Sequence, residues 1–175
     1  GAFVRFHTFI PSGDTLEFSY IFGSEEYNEY ADSDYNDVFG IFIDGVDYAL
    51  VPETDTPVSV SSINSASYSE YYNDNDAFKD FGGFPKPYPY PFEYDGFTDA
   101  LTTSVTGLTP GETYTLRLAI ADAGDMFLDS GIFFPAASFK CPAAPAVPEP
   151  GAVFLLGSGL ICLAAAGRKK KFLSV

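Results

Sequence analysis

Apolar and polar side chains alternate in several short runs of this chain, and no run before the C-terminal tail has a helical period. In residues 14–22, DTLEFSYIF, the side chains of Leu16, Phe18, Tyr20 and Phe22 share one face, which predicts a half-buried strand. VFGIFIDGVDYALV predicts two strands around Asp44-Gly45, a two-residue hairpin turn. PVSVSSI alternates Val58 and Val60 with serines and predicts another strand. LTPGETYTLRLAIAD turns at Pro110-Gly111 and then sets Tyr114, Leu116, Leu118 and Ile120 on one side. SGIFFPAASF adds a last strand or two, and residues 2–10 a first. Seven or eight strands joined by polar turns predict an all-β fold, a two-sheet antiparallel β-sandwich of jelly-roll kind, over residues 1–140.

Two stretches break the pattern. Residues 64–80 read as a polar loop in which Asn73, Asp74, Asn75 and Asp76 cluster. Residues 82–94, GGFPKPYPYPFEY, interleave four prolines with aromatics, which excludes a central strand. This extended ribbon is expected to pack over the sandwich and cover an edge, with a contact surface including Tyr88 and Tyr90 as the alternative.

The tail follows different rules. Residues 141–150, CPAAPAVPEP, form an extended Pro/Ala linker. Residues 151–167 then run without a charge, and as a helix they span about 26 Å, slightly under the roughly 30 Å of a bilayer core. They have no polar face, which argues for a transmembrane helix over a core helix. Residues 168–175 open with Arg168, Lys169, Lys170 and Lys171, a cluster that stays cytoplasmic and places the body outside. The order Pro148-Glu149-Pro150, apolar helix, basic cluster resembles the PEP-CTERM sorting signal of Gram-negative bacteria. That resemblance implies an exosortase-type processing enzyme as partner and transit through the inner membrane. It also implies delivery of the body to the cell surface or the extracellular matrix.

Composition sharpens the picture where it departs from the average. Residues 1–146 hold 23 acids against five lysines and arginines, so the body repels nucleic acid. Phe and Tyr are abundant and Trp is absent, which suits short strands and turns. The two cysteines, Cys141 and Cys162, fall on opposite sides of the expected membrane boundary and are not expected to pair. The chain opens with Gly-Ala-Phe, as a processed chain or fragment does.

The most acidic stretch, GSEEYNEYADSDYNDVFG, packs six carboxylates into eighteen residues, with no lysine or arginine between Arg5 and Lys79. It links the strand ending at Phe22 to the one starting at Val38. A second acidic loop, ADAGDMFLDSG, follows the strand ending at Ile120. Two such loops meeting at one rim would repel strongly, and a divalent ion reverses the sign of that term. Oxygen donors alone favour Ca²⁺. The expected ligands are Glu25, Glu26, Asn36 and Asp37 from the first loop, and Asp122, Asp125 and Asp129 from the second. An EF-hand starting at Asp32 is excluded, because its sixth position is Asp37 instead of Gly and its twelfth is Ile43 instead of Glu. The other reading of these carboxylates is a hydrated rim.

Catalysis finds little support. His7, the single imidazole, lies on an expected surface strand, so no nucleophile–histidine set can be built. Glu25 and Glu26 are candidates for a glycosidase pair, which needs two carboxyls about 5–9 Å apart across a sugar. Carbohydrate binding, to an extracellular polysaccharide, is the stronger alternative to a structural or adhesive role. It would use Tyr27, Tyr30 and Tyr35 on the acidic loop, with Tyr88 and Tyr90 on the ribbon.

The blocks GDTLEFSYIFGSEEYNEY…NDVFGIFIDG, ALVPETDTPVSV, YYNDN, DGFT and PGETYTLRLAIADAGDMFLDSGIFF, in this order, resemble the choice-of-anchor L domain. The matched motifs are residues 24–27, 36–40 and 122–130. The resemblance implies a bacterial surface domain joined to one of several sorting signals, with no established enzymatic activity. Such domains usually carry more chain ahead of the first strand, which implies N-terminal truncation here.

Overall fold

A computed structural model describes residues 2–76, 90–122 and 128–142. The transmembrane helix expected over 151–167, the Pro-Glu-Pro motif and the basic cluster lie outside these residues. The chain divides into a compact unit, Gly1–Ala143, and a second unit, Ala144–Val175. The first is all-β.

Its strands, in chain order, are β1 (Ala2–Phe9), β2 (Thr15–Ser24), β3 (Val38–Ile43), β4 (Val46–Asp47), β5 (Tyr72–Asp74), β6 (Gly96–Thr98), β7 (Leu101–Thr106), β8 (Tyr114–Ala121) and β9 (Ser130–Phe133). All pairings are antiparallel. One sheet has the order β1-β8-β3-β4, and the other the order β5-β6-β2-β7, with β9 also paired to β2. The chain changes sheet at every connection except the β3–β4 hairpin and the β5–β6–β7 run.

β2 is the spine of the second sheet, and its alternation is the one read in the sequence. Leu16, Phe18, Tyr20 and Phe22 are buried between the sheets, against Phe39, Ile41 and Ile43 of β3 and Leu101 and Val105 of β7. The register slips once along β2. Tyr20 faces Leu101 and Gly23 faces Phe97, so three partner residues oppose two on β2, a bulge between β6 and β7. The hairpin turn is as expected: Asp44 and Gly45 both have positive φ, 46° and 90°, the demand of a type I′ turn.

Several expectations are corrected. Residues 57–63 form no strand; they touch β3 and residue 50 through isolated bridges and otherwise turn. Their serines bond locally to the backbone, so the turn wins over the ladder, while Val58, Val60 and Ile63 still reach the core. Residues 64–80 are not wholly a loop: a 3₁₀ turn at Ser69–Tyr71 leads into β5. β6 and β7 were not foreseen, because LTTSVT and GFT carry too little apolar alternation. The described end of the proline ribbon does pack over the sheet. Phe92 and Tyr94 lie against Phe97 and Phe133, and Tyr94 covers the facing pair Gly23 and Gly131. A Cβ on Gly131 would sit 2.4 Å from the Tyr94 hydroxyl, so this floor must be glycine for the ring to lie there.

Candidate functional site

The acidic loops leave and enter the sandwich where β2, β3, β8 and β9 end, and strand pairing brings them together. Ser24 pairs with Ser130 at the end of the β2–β9 ladder, so Glu25 emerges beside Asp129. The two clasp reciprocally: the Glu25 N–H donates to the Asp129 carbonyl, and the Asp129 N–H donates to Glu25 Oε2, both at 3.0 Å. The Ser130 hydroxyl donates to Asp37 Oδ2 at 2.6 Å. Val38 pairs with Ala121 at the end of the β3–β8 ladder, which sets Asp37 and Asp122 across from one another one step beyond it. Asp122, Asp129 and Ser130 line a cleft of about 190 Å³ with Phe3 and Leu128.

Two expected ligands point inward. Asp37 is fully buried and Glu26 is 1% exposed, with the Glu26 N–H donating to Ser24 Oγ at 3.0 Å. Asn36 turns to the other side, where its Oδ1 accepts the Ser61 N–H at 2.9 Å. Asp125 lies outside the described residues. Among the described residues, no group of three or more acids, histidines or cysteines is placed to hold a metal ion. With Glu26 buried and Glu25 clasped to Asp129, the two do not form an open carboxylate pair across a cleft.

The tyrosines divide in the same way. Tyr27 is fully buried and is corrected to a core residue; its ring packs on Phe22, Tyr72 and the Gly96 backbone. Tyr30 is 38% exposed and meets Tyr35 edge-on at 5.2 Å. Tyr90 is exposed beside Phe97, and Tyr88 lies outside the described residues. His7 is exposed on β1, as expected.

A second acidic patch escaped the sequence reading. β6 pairs with β2 so that Ser24 faces Gly96, and Asp95 therefore lies beside Glu25. β5 brings Asp74 opposite Gly96 on the other edge. Asn75 stitches the patch to the ribbon through bonds to the Phe92 and Tyr94 carbonyls and the Tyr90 N–H. Asn28 ties it to the acidic loop, donating to Asp74 Oδ1 at 3.1 Å and accepting from the Tyr72 hydroxyl. Half-buried Asp95 has its carboxyl pushed up to about 7, first by loss of water and then by Asp76, Glu29, Glu25 and Asp74. The run NDND marked Asp74 and Asp76, but only the β2–β6 register shows that Asp95 joins them.

The choice-of-anchor L domain model matches residues 2–140, nearly the whole sandwich. The chain belongs to the choice-of-anchor L family. The PEP-CTERM protein-sorting motif matches residues 146–170. No curated protein and no solved structure matches the chain. A choice-of-anchor L domain joined to a PEP-CTERM motif is an exported, surface-sorted protein, and the motif implies processing by an exosortase. Of the three blocks that carry the choice-of-anchor L resemblance, residues 24–27, 36–40 and the described ends of 122–130 (Asp122 and residues 128–130) are neighbours at this one rim. The Glu25–Asp129 and Asp37–Ser130 contacts join these blocks.

Proposed function

We propose that the body is a non-catalytic structural and adhesive module, displayed at the surface of a Gram-negative cell or in its matrix, after transit through the inner membrane. The observation that carries this reading is β1. Among the described residues it is an edge strand, paired only with β8, and Phe3, Val4 and Phe6 stand exposed on it. Residues 2–13 contain no acid and include Arg5, so the exposed apolar side chains of this edge are not screened by carboxylates of their own strand. Open edges invite another strand, and two acidic copies can approach here without carboxylates of this strand opposing each other. Reversible, concentration-dependent assembly in sedimentation is the expected result, abolished by Val4→Lys with Phe6→Lys. Wild-type protein that stays monomeric at about 100 µM would remove the basis for this reading.

The acidic rim supports a role for Ca²⁺ in stabilising the same module. Glu25, Asp122 and Asp129 sit on adjacent strand ends, and the Asp95 patch adjoins them through Glu25. A surface site of about 1 mM affinity, in 10 mM Ca²⁺, raises stability by about 1.4 kcal/mol. Melting in Ca²⁺ against Na⁺ of equal ionic strength, with EDTA as reference, checks it; equal melting temperatures leave a hydrated rim.

Polysaccharide binding is the second reading. The exposed ring of Tyr30, braced edge-on by half-buried Tyr35, favours it, as a face on which a sugar ring can stack.

A further inference from the structure

The turns that replace the expected strand at 57–63 border an open groove of about 440 Å³, well away in character from the acidic rim. None of its lining residues is charged, in a body with 23 acids. Four serines, Thr56 and Asn36 face it, with Tyr68 at its lip. We infer that this uncharged groove, whose exposed wall is mainly apolar and is edged by hydroxyl and amide groups, is a subsite for an uncharged saccharide unit. The inference rests on the polysaccharide reading above and assigns it a place.

Three features support it. The pocket wall is preorganised. Asn64, 2% exposed, accepts the Ala66 and Ser67 N–H groups and donates to the Val60 and Ser61 carbonyls. Ser59 and Ser62 bond to each other's N–H groups, and Asn36 holds the Ser61 N–H. Buried Val58, Val60 and Ile63 fix the same segment from below. A wall held this way loses little freedom on binding.

Second, hydrogen-bonding capacity is left over. The Asn36 amide NH₂, the Ser67 hydroxyl and the Tyr68 hydroxyl make no bond within the described residues. The Ser61 hydroxyl accepts the Asp32 N–H at 3.2 Å and keeps its own proton to donate. An anion finds no cation among these groups, and an apolar ligand would leave them unpaired. A polyol matches both the donors and the acceptors.

Third, Tyr68 is held at φ 45° and ψ 42°, a left-handed conformation that a bulky residue rarely adopts. Such outliers gather at ligand clamps. The Asp32–Ser61 bond joins this pocket to the loop carrying Tyr30 and Tyr35, so exposed aromatic rings lie on both sides of one contact.

Native gels containing dissolved dextran, mixed-linkage β-glucan or galactomannan, with alginate as the charged control, read the interaction as retardation. The full chain is run in a polyoxyethylene detergent, which carries no sugar. Retardation is expected in at least one neutral gel, with affinity falling at least tenfold in Tyr68→Gly and in Ser67→Asp and unchanged in Glu112→Ala, an exposed turn residue. Glycine accepts the Tyr68 backbone angles, so that variant keeps the fold. Retardation that both pocket variants retain would overturn the pocket and leave the polysaccharide reading standing. No retardation in any neutral gel would overturn both.

Discussion

Tyr27→Ala is expected to cost about 3–5 kcal/mol of folding stability, the range for deleting a fully buried aromatic ring. That is a large share of the roughly 5–15 kcal/mol by which a domain is stable. The ring lies at the start of the acidic loop yet is wholly buried, edge-on to Phe22 at 6.3 Å and tilted against Tyr72 at 5.0 Å. Gly96 makes the space: a Cβ there would sit 2.7 Å from both the Tyr27 and Tyr72 rings. The Tyr27 hydroxyl is buried with no hydrogen-bond partner among the described residues, and burial raises its pKa. Packing, not the phenol, is therefore what the position uses. Tyr27→Phe is accordingly expected to be neutral or stabilising by about 1 kcal/mol, because it removes an unsatisfied polar group. Urea unfolding of the two variants checks this; a loss of similar size in Tyr27→Phe would show that the hydroxyl has a partner after all.

The contrast between Tyr27 and Tyr30 shows how far sequence reading reaches here. Alternation located β2, β3, β8 and most of the core, since burial on one face imposes a period of two. It failed at β7, where LTTSVT buries only Leu101 and Val105 and presents threonines and a serine between them. It failed again at residues 57–63, where a strand-like alternation is overruled by serines that bond their own backbone. A tyrosine in an acidic loop looks exposed in sequence. Only the apposition of Gly96, fixed by the β2–β6 pairing, gives Tyr27 somewhere to bury itself.

The candidate site was legible to a similar depth. That the loops after β2 and β8 can meet was inferable from their following core strands, and the Glu25–Asp129 clasp joins the start of the first to the described end of the second. Which carboxylates face solvent was not inferable. Asp37 sits one residue before a strand, and the β3–β8 register carries it inside to meet Ser130. Asp95 was missed because Glu25 and Glu29 lie some seventy residues away in sequence and Asp74 and Asp76 some twenty, all reached across pairings that three-residue strands do not announce.

Asp95 carries the second large effect. Its carboxyl has a pKa of 3.8 when exposed and about 7 in the folded chain. Between those values the folded state keeps a proton that the unfolded chain has released, so stability falls as pH rises from about 4 to 7 and the full penalty stands above 7. Some three pKa units would be roughly 4 kcal/mol for a sheltered group; for one only half-buried, water and salt reduce it to about 2. Asp95→Asn is thus expected to gain about 2 kcal/mol over wild type at pH 8 and nothing at pH 4. Comparing the pair removes the contribution of the other acids, which titrate in both proteins. A gain of equal size at both pH values would mean that packing, not charge, separates them. The same comparison bears on the rim. If Ca²⁺ neutralises this patch, the gap at pH 8 closes in 10 mM Ca²⁺, because the wild-type carboxylates are then relieved of the repulsion that the asparagine removes. If the gap persists, any cation taken up sits farther along, nearer Asp129 and Asp122, where Asp95 does not feel it.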